Sequence, residues 1–264
     1  MKREREDAAS PPAHWTSVCL CVSGSVAAVK APELAAEFLR AGVSVDLVLT
    51  DAAHALLQAT YRGACPWEAL EALTAASPVP STSEEDGIPR PRPPSLQLWR
   101  NSDEWTSYTS VGADPVLHIE LAKRNRLLLI APLCANTLAA AALGTCSNLL
   151  GSVLRAWYYD LDPEFAGQLA ERYGAYAIER PVLIAPAMNT FMWHQRVTGS
   201  HLATLTERGV ALVPPIAKRL ACGDTGLGAM AEVPTIVSAA LELLRAHAAA
   251  ESEARAAGKP PFVP

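Results

Sequence analysis

The sequence predicts an α/β fold in which helices cover an open, central parallel sheet. Two observations predict it. Four short apolar runs, Val18–Val22, Val43–Thr50, Arg126–Pro132 and Val182–Pro186, have the length of strands and are too short for buried helices. Each run gives way to a turn of small and polar residues and then to a stretch with helical spacing of apolar positions. In such a sheet, ligands sit outside the carboxyl ends of the strands. The turns that follow the four runs are therefore where function is to be sought.

The chain has 264 residues, half of them hydrophobic, enough for a sizeable core in one large domain or two small ones. A single domain over residues 15–249 is expected. A net charge of −5 leaves no basic patch for nucleic acid. No apolar stretch reaches the roughly 18 residues of a membrane helix. The opening MKREREDAAS has no apolar segment behind it, so it does not read as a secretory signal. The 6 cysteines include no C-x-x-C pair, which argues against zinc and against a disulfide framework. A reducing cytoplasm is the expected compartment.

Residues 1–14 read as a disordered arm. In Val18–Val22, Cys19 and Cys21 read as small core residues. Ser23-Gly24-Ser25 then turns the chain into a helix over Val26–Arg40, placing backbone N–H groups and two hydroxyls at a helix N-terminus, a ready anion site. The turn lacks the second and third glycines of a dinucleotide fingerprint, which favours a terminal monophosphate over a buried pyrophosphate. A plain strand-to-helix turn accounts for Gly24 equally well. Thr50 adds a hydroxyl at the end of the second run, and Asp51 stands where a ribose-binding acid would. Ala52–Gln58 continues as a helix. From Thr74 to Ser95 the composition shifts to Pro, Ser, Glu and Arg, with six prolines between Pro78 and Pro94, and reads as an extended surface insertion. Leu96–Trp99 reads as an edge strand.

Asp114-Pro115 is a strong helix start, with Asp at the N-cap and Pro at the first helical position. His118 lies one turn in, where the helix dipole disfavours imidazolium and keeps the ring neutral, as a general base requires. A surface or core histidine is the plainer alternative. Leu133-Cys134-Ala135-Asn136-Thr137 leads into a helix over Leu138–Leu143, and Asn148–Trp157 forms another. Residues 158–180 read as a helical insertion. Val182–Pro186 runs into Ala187-Met188-Asn189-Thr190, which puts the Asn189 amide at a crevice mouth beside Met188 and Met192, unless Asn189 merely caps the next helix. Met192–Arg208 is mostly helical and Val210–Val213 is a short final strand. In Arg219–Met230, Gly223, Gly226 and Gly228 forbid regular structure and permit a flap. Cys222 at its start is either a proton donor on that flap or an inert turn thiol. Pro234–Ala249 is a closing amphipathic helix, and residues 250–264 read as a frayed tail.

Taken together, SGSVAAVKAPEL, DPVLHIEL, LLLIAPLCANTLAAAALGTCSNLL, RAW, PVLIAPAMNTFMW and AKRLACGDTGLGAMAEVPTIV resemble the phosphopantothenoylcysteine decarboxylases, a family of flavin-dependent cysteine decarboxylases. The matching runs from about Val18 to about Leu244, broken by the two insertions. The resemblance implies a flavodoxin-like, Rossmann-like three-layer sandwich, bound FMN and a homotrimer with active sites between subunits; a heterotrimer with a paralogue is a variant of that arrangement. By position, Gly24, Ser25 and Val26 hold the FMN phosphate with help from Thr50. Cys134, Ala135, Asn136, Thr137 and Ala187 contact the phosphate or the flavin rings. Family members usually carry Ser where this chain has Cys134, and a thiol is the weaker donor. His118 matches the family's base, Asn189 its anchor for the substrate carboxylate, and Cys222 its proton donor. Met192 shapes the pocket, and Arg219, Ala221 and Gly223 lie where the flap closes on substrate.

The implied reaction is decarboxylation of 4′-phosphopantothenoylcysteine to 4′-phosphopantetheine in coenzyme A biosynthesis. It is redox-neutral overall: transient oxidation of the thiol-bearing carbon creates the electron sink that lets carbon dioxide leave. A peptidyl-cysteine decarboxylase stops at the enethiol and needs no reducing cysteine, so Cys222 argues against it. A flavin prenyltransferase lacks the ACGD stretch. Regulatory subunits of similar sequence that inhibit a protein phosphatase typically lack one of the three residues or carry a long acidic tail. Here His118, Asn189 and Cys222 occur together and the tail is short.

Overall fold

The computed structural model describes residues 17–77, 93–106, 108–111, 113–174, 179–219 and 225–260. Strands β1 (Ser17–Val22), β2 (Ser44–Leu49), β3 (Leu96–Arg100), β4 (Leu127–Leu133), β5 (Val182–Pro186) and β6 (Ala211–Leu212) form one 6-stranded sheet in the order β3-β2-β1-β4-β5-β6, every pair parallel. A two-stranded antiparallel ribbon, β7 (Ile216–Arg219) with β8 (Thr225–Ala229), stands apart from it. The helices are α1 (Ala31–Arg40), α2 (Asp51–Leu57), α3 (Pro66–Ala76), α4 (Asp103–Thr106), α5 (Leu117–Arg124), α6 (Ala135–Leu143), α7 (Leu149–Ala156), α8 (Pro163–Tyr173), α9 (Thr190–Trp193), α10 (Arg196–Glu207) and α11 (Val233–Ala256).

The two-residue side-chain period of a strand divides β1 between two cores. Val18, Leu20 and Val22 pack on one face with Leu34 and Phe38 of α1, Leu70 of α3 and Ile236 of α11. Cys19 and Cys21 pack on the other with Leu121 of α5, Leu138 of α6, Val153 of α7 and Leu205 of α10. Both faces of the sheet are buried, which is why its strands read as unbroken apolar runs. This is the expected three-layer α/β architecture. The strand order reverses between β1 and β4, and the helices that follow these two strands, α1 and α6, pack on opposite faces of the sheet. A crevice at such a switch point is the usual ligand position.

Several elements differ from the sequence reading for physical reasons. The helix expected over Val26–Arg40 is broken: Val26–Lys30 is a 3₁₀ turn and α1 starts at Ala31, because Pro32 has no N–H to continue the ladder. α5 starts at Leu117 with Val116 at the N-cap, while the Asp114 carboxylate accepts from the amides of Thr109 and Ser110 and the Thr109 hydroxyl. The Asp114 side chain is committed to that loop and cannot cap the helix. Gly226 and Gly228 do not make a flap; they lie inside β8. The last helix runs to Ala256, past the expected start of a frayed tail, anchored by Arg126 Nη1 to Glu251 Oε1 at 2.7 Å. α3 was not visible in the sequence pattern. The arm at residues 1–14 and most of the proline-rich insertion lie outside the described residues.

The 158–180 insertion carries α8, capped by Asp162, and ends on a buried cation. Arg180 Nη1 donates to the carbonyls of Ala122, Lys123 and Asn125 at 2.6, 2.7 and 2.9 Å, closing the C-terminus of α5. Trp157 Nε1 donates to the Arg180 carbonyl at 3.2 Å. Among the described residues, no helix is long and apolar enough to cross a membrane.

Candidate active site

A cleft of about 630 Å³ opens at the β1/β4 switch point, within the range of small-molecule sites. Its floor is the turn after β1. Ser23 is buried there and stitches two strand ends together: its hydroxyl donates to the Pro132 carbonyl and accepts from the Cys134 amide, both at 2.8 Å. Gly24 follows with no room for a side chain, since a Cβ would lie 2.6 Å from the Ala52 Cβ. Ser25 caps the 3₁₀ turn, its Oγ accepting from the Ala27 amide at 3.4 Å. Gly24, Ser25, Val26, Cys134, Ala135, Ala187, Asn189 and Met192 all line the cleft, so it gathers most of the expected cofactor residues together with the expected carboxylate anchor.

Thr50, Asn136 and Thr137 do not line it. The Thr50 hydroxyl is committed to its own neighbourhood, donating to the Val22 carbonyl and capping α2 through the Ala53 amide. Thr137 is buried behind Cys134, whose Sγ donates to its Oγ1 at 3.4 Å. Asp51, read as a possible ribose acid, accepts from Asn101 Nδ2 instead, at 2.9 Å. Burial works against a charged Cys134. Polar contacts with the Ser23 and Thr137 side chains and with the amides of Thr137 and Asn136 outweigh it and hold the thiol below its ordinary range.

Asn189 meets both of its expected readings. It is the N-cap of α9, its Oδ1 accepting from the Phe191 amide at 2.8 Å, and it also stands on the cleft wall. Its loop rests on β8. The Met188 amide donates to the Gly228 carbonyl at 2.9 Å, and Gly228 has φ +142°. A Cβ on Gly228 would lie 2.4 Å from the Met188 carbonyl oxygen, and one on Gly226 would lie 2.6 Å from Thr190 Oγ1. The glycines are there for close approach, not for disorder. The Arg219 backbone ends β7, while Ala221, Cys222 and Gly223 lie outside the described residues.

Three cations that sequence reasoning missed complete the cleft: Lys30, Arg62 and Lys218. Lys30 pairs with Glu33 at 2.6 Å and Lys218 with Glu232 at 3.0 Å. Arg62 stacks on the Tyr61 ring, 5.2 Å from its centroid. Lys30 is in the run directly after the turn and was open to inference; Tyr61-Arg62 sits in an irregular segment with no signal.

His118 does not line the cleft. It stands at the start of α5, at the same carboxyl end of the sheet, with Nδ1 2.6 Å from Glu104 Oε1 of α4. Sequence reasoning missed Glu104 because a one-turn polar helix looks like loop. Among the described residues, no cluster of His, Cys, Asp and Glu could hold a metal ion.

A family model described as "Flavoprotein" matches residues 8–245. The chain belongs to the flavoprotein family. A relative from Arabidopsis thaliana described as "Probable phosphopantothenoylcysteine decarboxylase" is 44% identical to this flavoprotein over 161 residues, 61% of this chain and 70% of that one. Among solved structures, a PPC decarboxylase mutant complexed with pantothenoylaminoethenethiol superposes with a TM-score of 0.61 at 36% identity, covering 85% of this flavoprotein and 95% of that chain. The FMN binding protein AtHal3 gives the same TM-score, 0.61, at 36% identity, covering 88% of this flavoprotein and 97% of that chain.

Proposed function

We propose that this flavoprotein binds FMN in the cleft and decarboxylates 4′-phosphopantothenoylcysteine to 4′-phosphopantetheine, a step of coenzyme A biosynthesis. The observation that carries the reading is a switch-point cleft that joins an anion-ready floor to an apolar wall and bears Asn189 at its rim. The residues present fit FMN. The 3₁₀ turn and α6 both begin at the cleft, so their first amides are available to phosphate oxygens. Lys30, Arg62 and Lys218 add cationic charge, and Val26, Met188, Met192 and Met230 give apolar surface for a planar ring. Gly24, Ser25, Val26, Cys134, Ala135 and Ala187 are the residues that would hold the cofactor; Asn136 and Thr137 would act through their backbone at the start of α6. FMN, when bound, supplies a two-electron acceptor that takes a hydride equivalent from substrate and returns it.

The chain's own groups then do the rest. His118 accepts the proton of the substrate thiol as the thiol-bearing carbon is oxidised. Asn189 anchors the substrate carboxylate until it leaves as carbon dioxide. Cys222 returns a proton to the carbon that has lost its carboxyl group, and Arg219, Ala221 and Gly223 serve substrate binding. We place the chain in a homotrimer with its sites between subunits. Two observations support this: His118 does not line the cleft that bears Asn189, and Leu143, Phe191 and Val197 are exposed on α6, α9 and α10. Five free cysteines among the described residues suit a reducing cytoplasm.

The test is direct. The purified protein should be yellow, elute as a trimer and form 4′-phosphopantetheine with release of carbon dioxide. Cys222→Ser should keep its flavin but accumulate oxidised enethiol, whereas His118→Asn should fail before carbon dioxide is released. A colourless protein that cannot be reconstituted with FMN overturns the reading.

A further inference from the structure

We propose that Glu104 is a positioning residue for His118: its carboxylate fixes the imidazole as the tautomer with hydrogen on Nδ1 and leaves Nε2 as the proton acceptor. The proposal rests on the assignment of His118 as the base. The carboxylate side chain is 8% exposed and the imidazole 24%, so the acid lies inside and the ring lies between it and the surface. The 2.6 Å separation of Nδ1 and Oε1 is that of a charge-assisted hydrogen bond. A carboxylate can only accept, so the hydrogen belongs on Nδ1 and the lone pair on Nε2. Among the described residues, nothing bonds Nε2. When a proton moves from substrate to Nε2, both ring nitrogens carry hydrogen, and the negative carboxylate lies against the cation that forms.

The second oxygen makes the case. Glu104 Oε2 is buried and has no hydrogen-bond partner among the described residues. A buried carboxylate kept for structure is normally satisfied at both oxygens. Asp46 in this same chain is such a case: Arg124, Asn125 and Trp99 use both of its oxygens. Glu104 is instead held for a single contact, and that contact is His118. Its placement is also secured from outside α4. The Glu104 amide donates to the Asn101 carbonyl at 3.4 Å. The Asn101 side chain donates to Asp51 at 2.9 Å and accepts from the Leu149 amide at 3.1 Å, tying the turn to the starts of α2 and α7.

Glu104→Gln keeps the shape and removes the charge, and its amide can meet either tautomer. In ¹⁵N-histidine NMR of the FMN-loaded protein, the His118 signal (identified by its loss in His118→Asn) should report hydrogen on Nδ1 in the wild type and a mixture or Nε2–H in Glu104→Gln. In turnover, kcat should fall about 10- to 1,000-fold, within what a misplaced acid–base group costs, with KM and flavin content unchanged. Glu104→Asp should recover part of the loss. Wild-type hydrogen on Nε2, or an active Glu104→Gln with unchanged kcat, overturns the proposal. So does a Gln variant that loses flavin and melting temperature in step with activity, since that marks a structural acid. If the wild type turns over no cysteine substrate, the functional reading fails, and the tautomer measurement still decides the pair.

Discussion

Gly228→Ala is the sharpest test of how β8 supports the Asn189 loop. The added Cβ lies 2.4 Å from the Met188 carbonyl oxygen, a backbone atom that cannot rotate away. At φ +142° the alanine is also in a region that L side chains rarely adopt, at a cost of about 1–3 kcal/mol. Relief requires β8 and residues 188–189 to separate by several tenths of an ångström or more, which weakens the Met188 amide bond to the Gly228 carbonyl, worth about 0.5–1.5 kcal/mol. Together these predict a loss of about 2–4 kcal/mol, or roughly 5–15 °C in melting temperature for a domain of this size. Turnover should suffer more than stability, because a displacement approaching 1 Å at a positioned group costs on the order of 100-fold. Circular dichroism melts and single-turnover decarboxylation measure the two effects. Gly167 of α8 is the control: nothing lies within 4 Å of its Cβ position, and Ala there should be neutral or stabilise by up to about 1 kcal/mol. A Gly228→Ala protein with unchanged melting temperature and rate would refute the reasoning.

Arg180→Ala should destabilise by about 3 kcal/mol, read from urea midpoints, because it strands three carbonyls at the end of α5, those of Ala122 and Asn125 buried and that of Lys123 partly so. Burial lowers the Arg180 pKa to about 10, so the cation persists at neutral pH and the loss should be flat between pH 6 and 8. His247 is buried with Nε2 unpartnered, and burial pulls its pKa below the ordinary 6.5. The unfolded chain therefore binds the proton more readily. Stability should be full above pH 6.5 and fall as pH drops toward the folded value, by at most about 1.4 kcal/mol per unit, and His247→Leu should lose that slope. Cys134 should react with iodoacetamide at lower pH than an ordinary thiol, Cys134→Ser should abolish that phase by mass spectrometry, and added FMN should slow it.

The sheet was legible because a parallel strand buried on both faces writes itself as consecutive apolar residues. The cleft floor was legible because Gly24-Ser25 and Cys134-Ala135 directly follow two such strands. What escaped is held by contacts distant in sequence. Thr50 looked available until β1 claimed its hydroxyl. Glu104 and His118 are 14 residues apart across two turns with no periodicity. The glycines of β8 look like a flap in one dimension, and only the approach of the Met188 carbonyl explains them. Arg180 in sequence is one more charge in a charged insertion; its three carbonyl partners appear only once α5 has folded.

Arg180 also bears on any attempt to trim the chain. The 158–180 segment is surplus in length, and α8 has no buried residue, which makes it a natural target for deletion. Yet the segment's final residue is the peg on which the histidine-bearing helix hangs. An excision confined to residues 163–174, rejoined so that Trp157 still meets the Arg180 carbonyl, should yield a smaller protein that keeps its catalytic geometry. One extended by six residues to remove Arg180 should yield a protein that still takes up flavin but no longer holds its histidine in place.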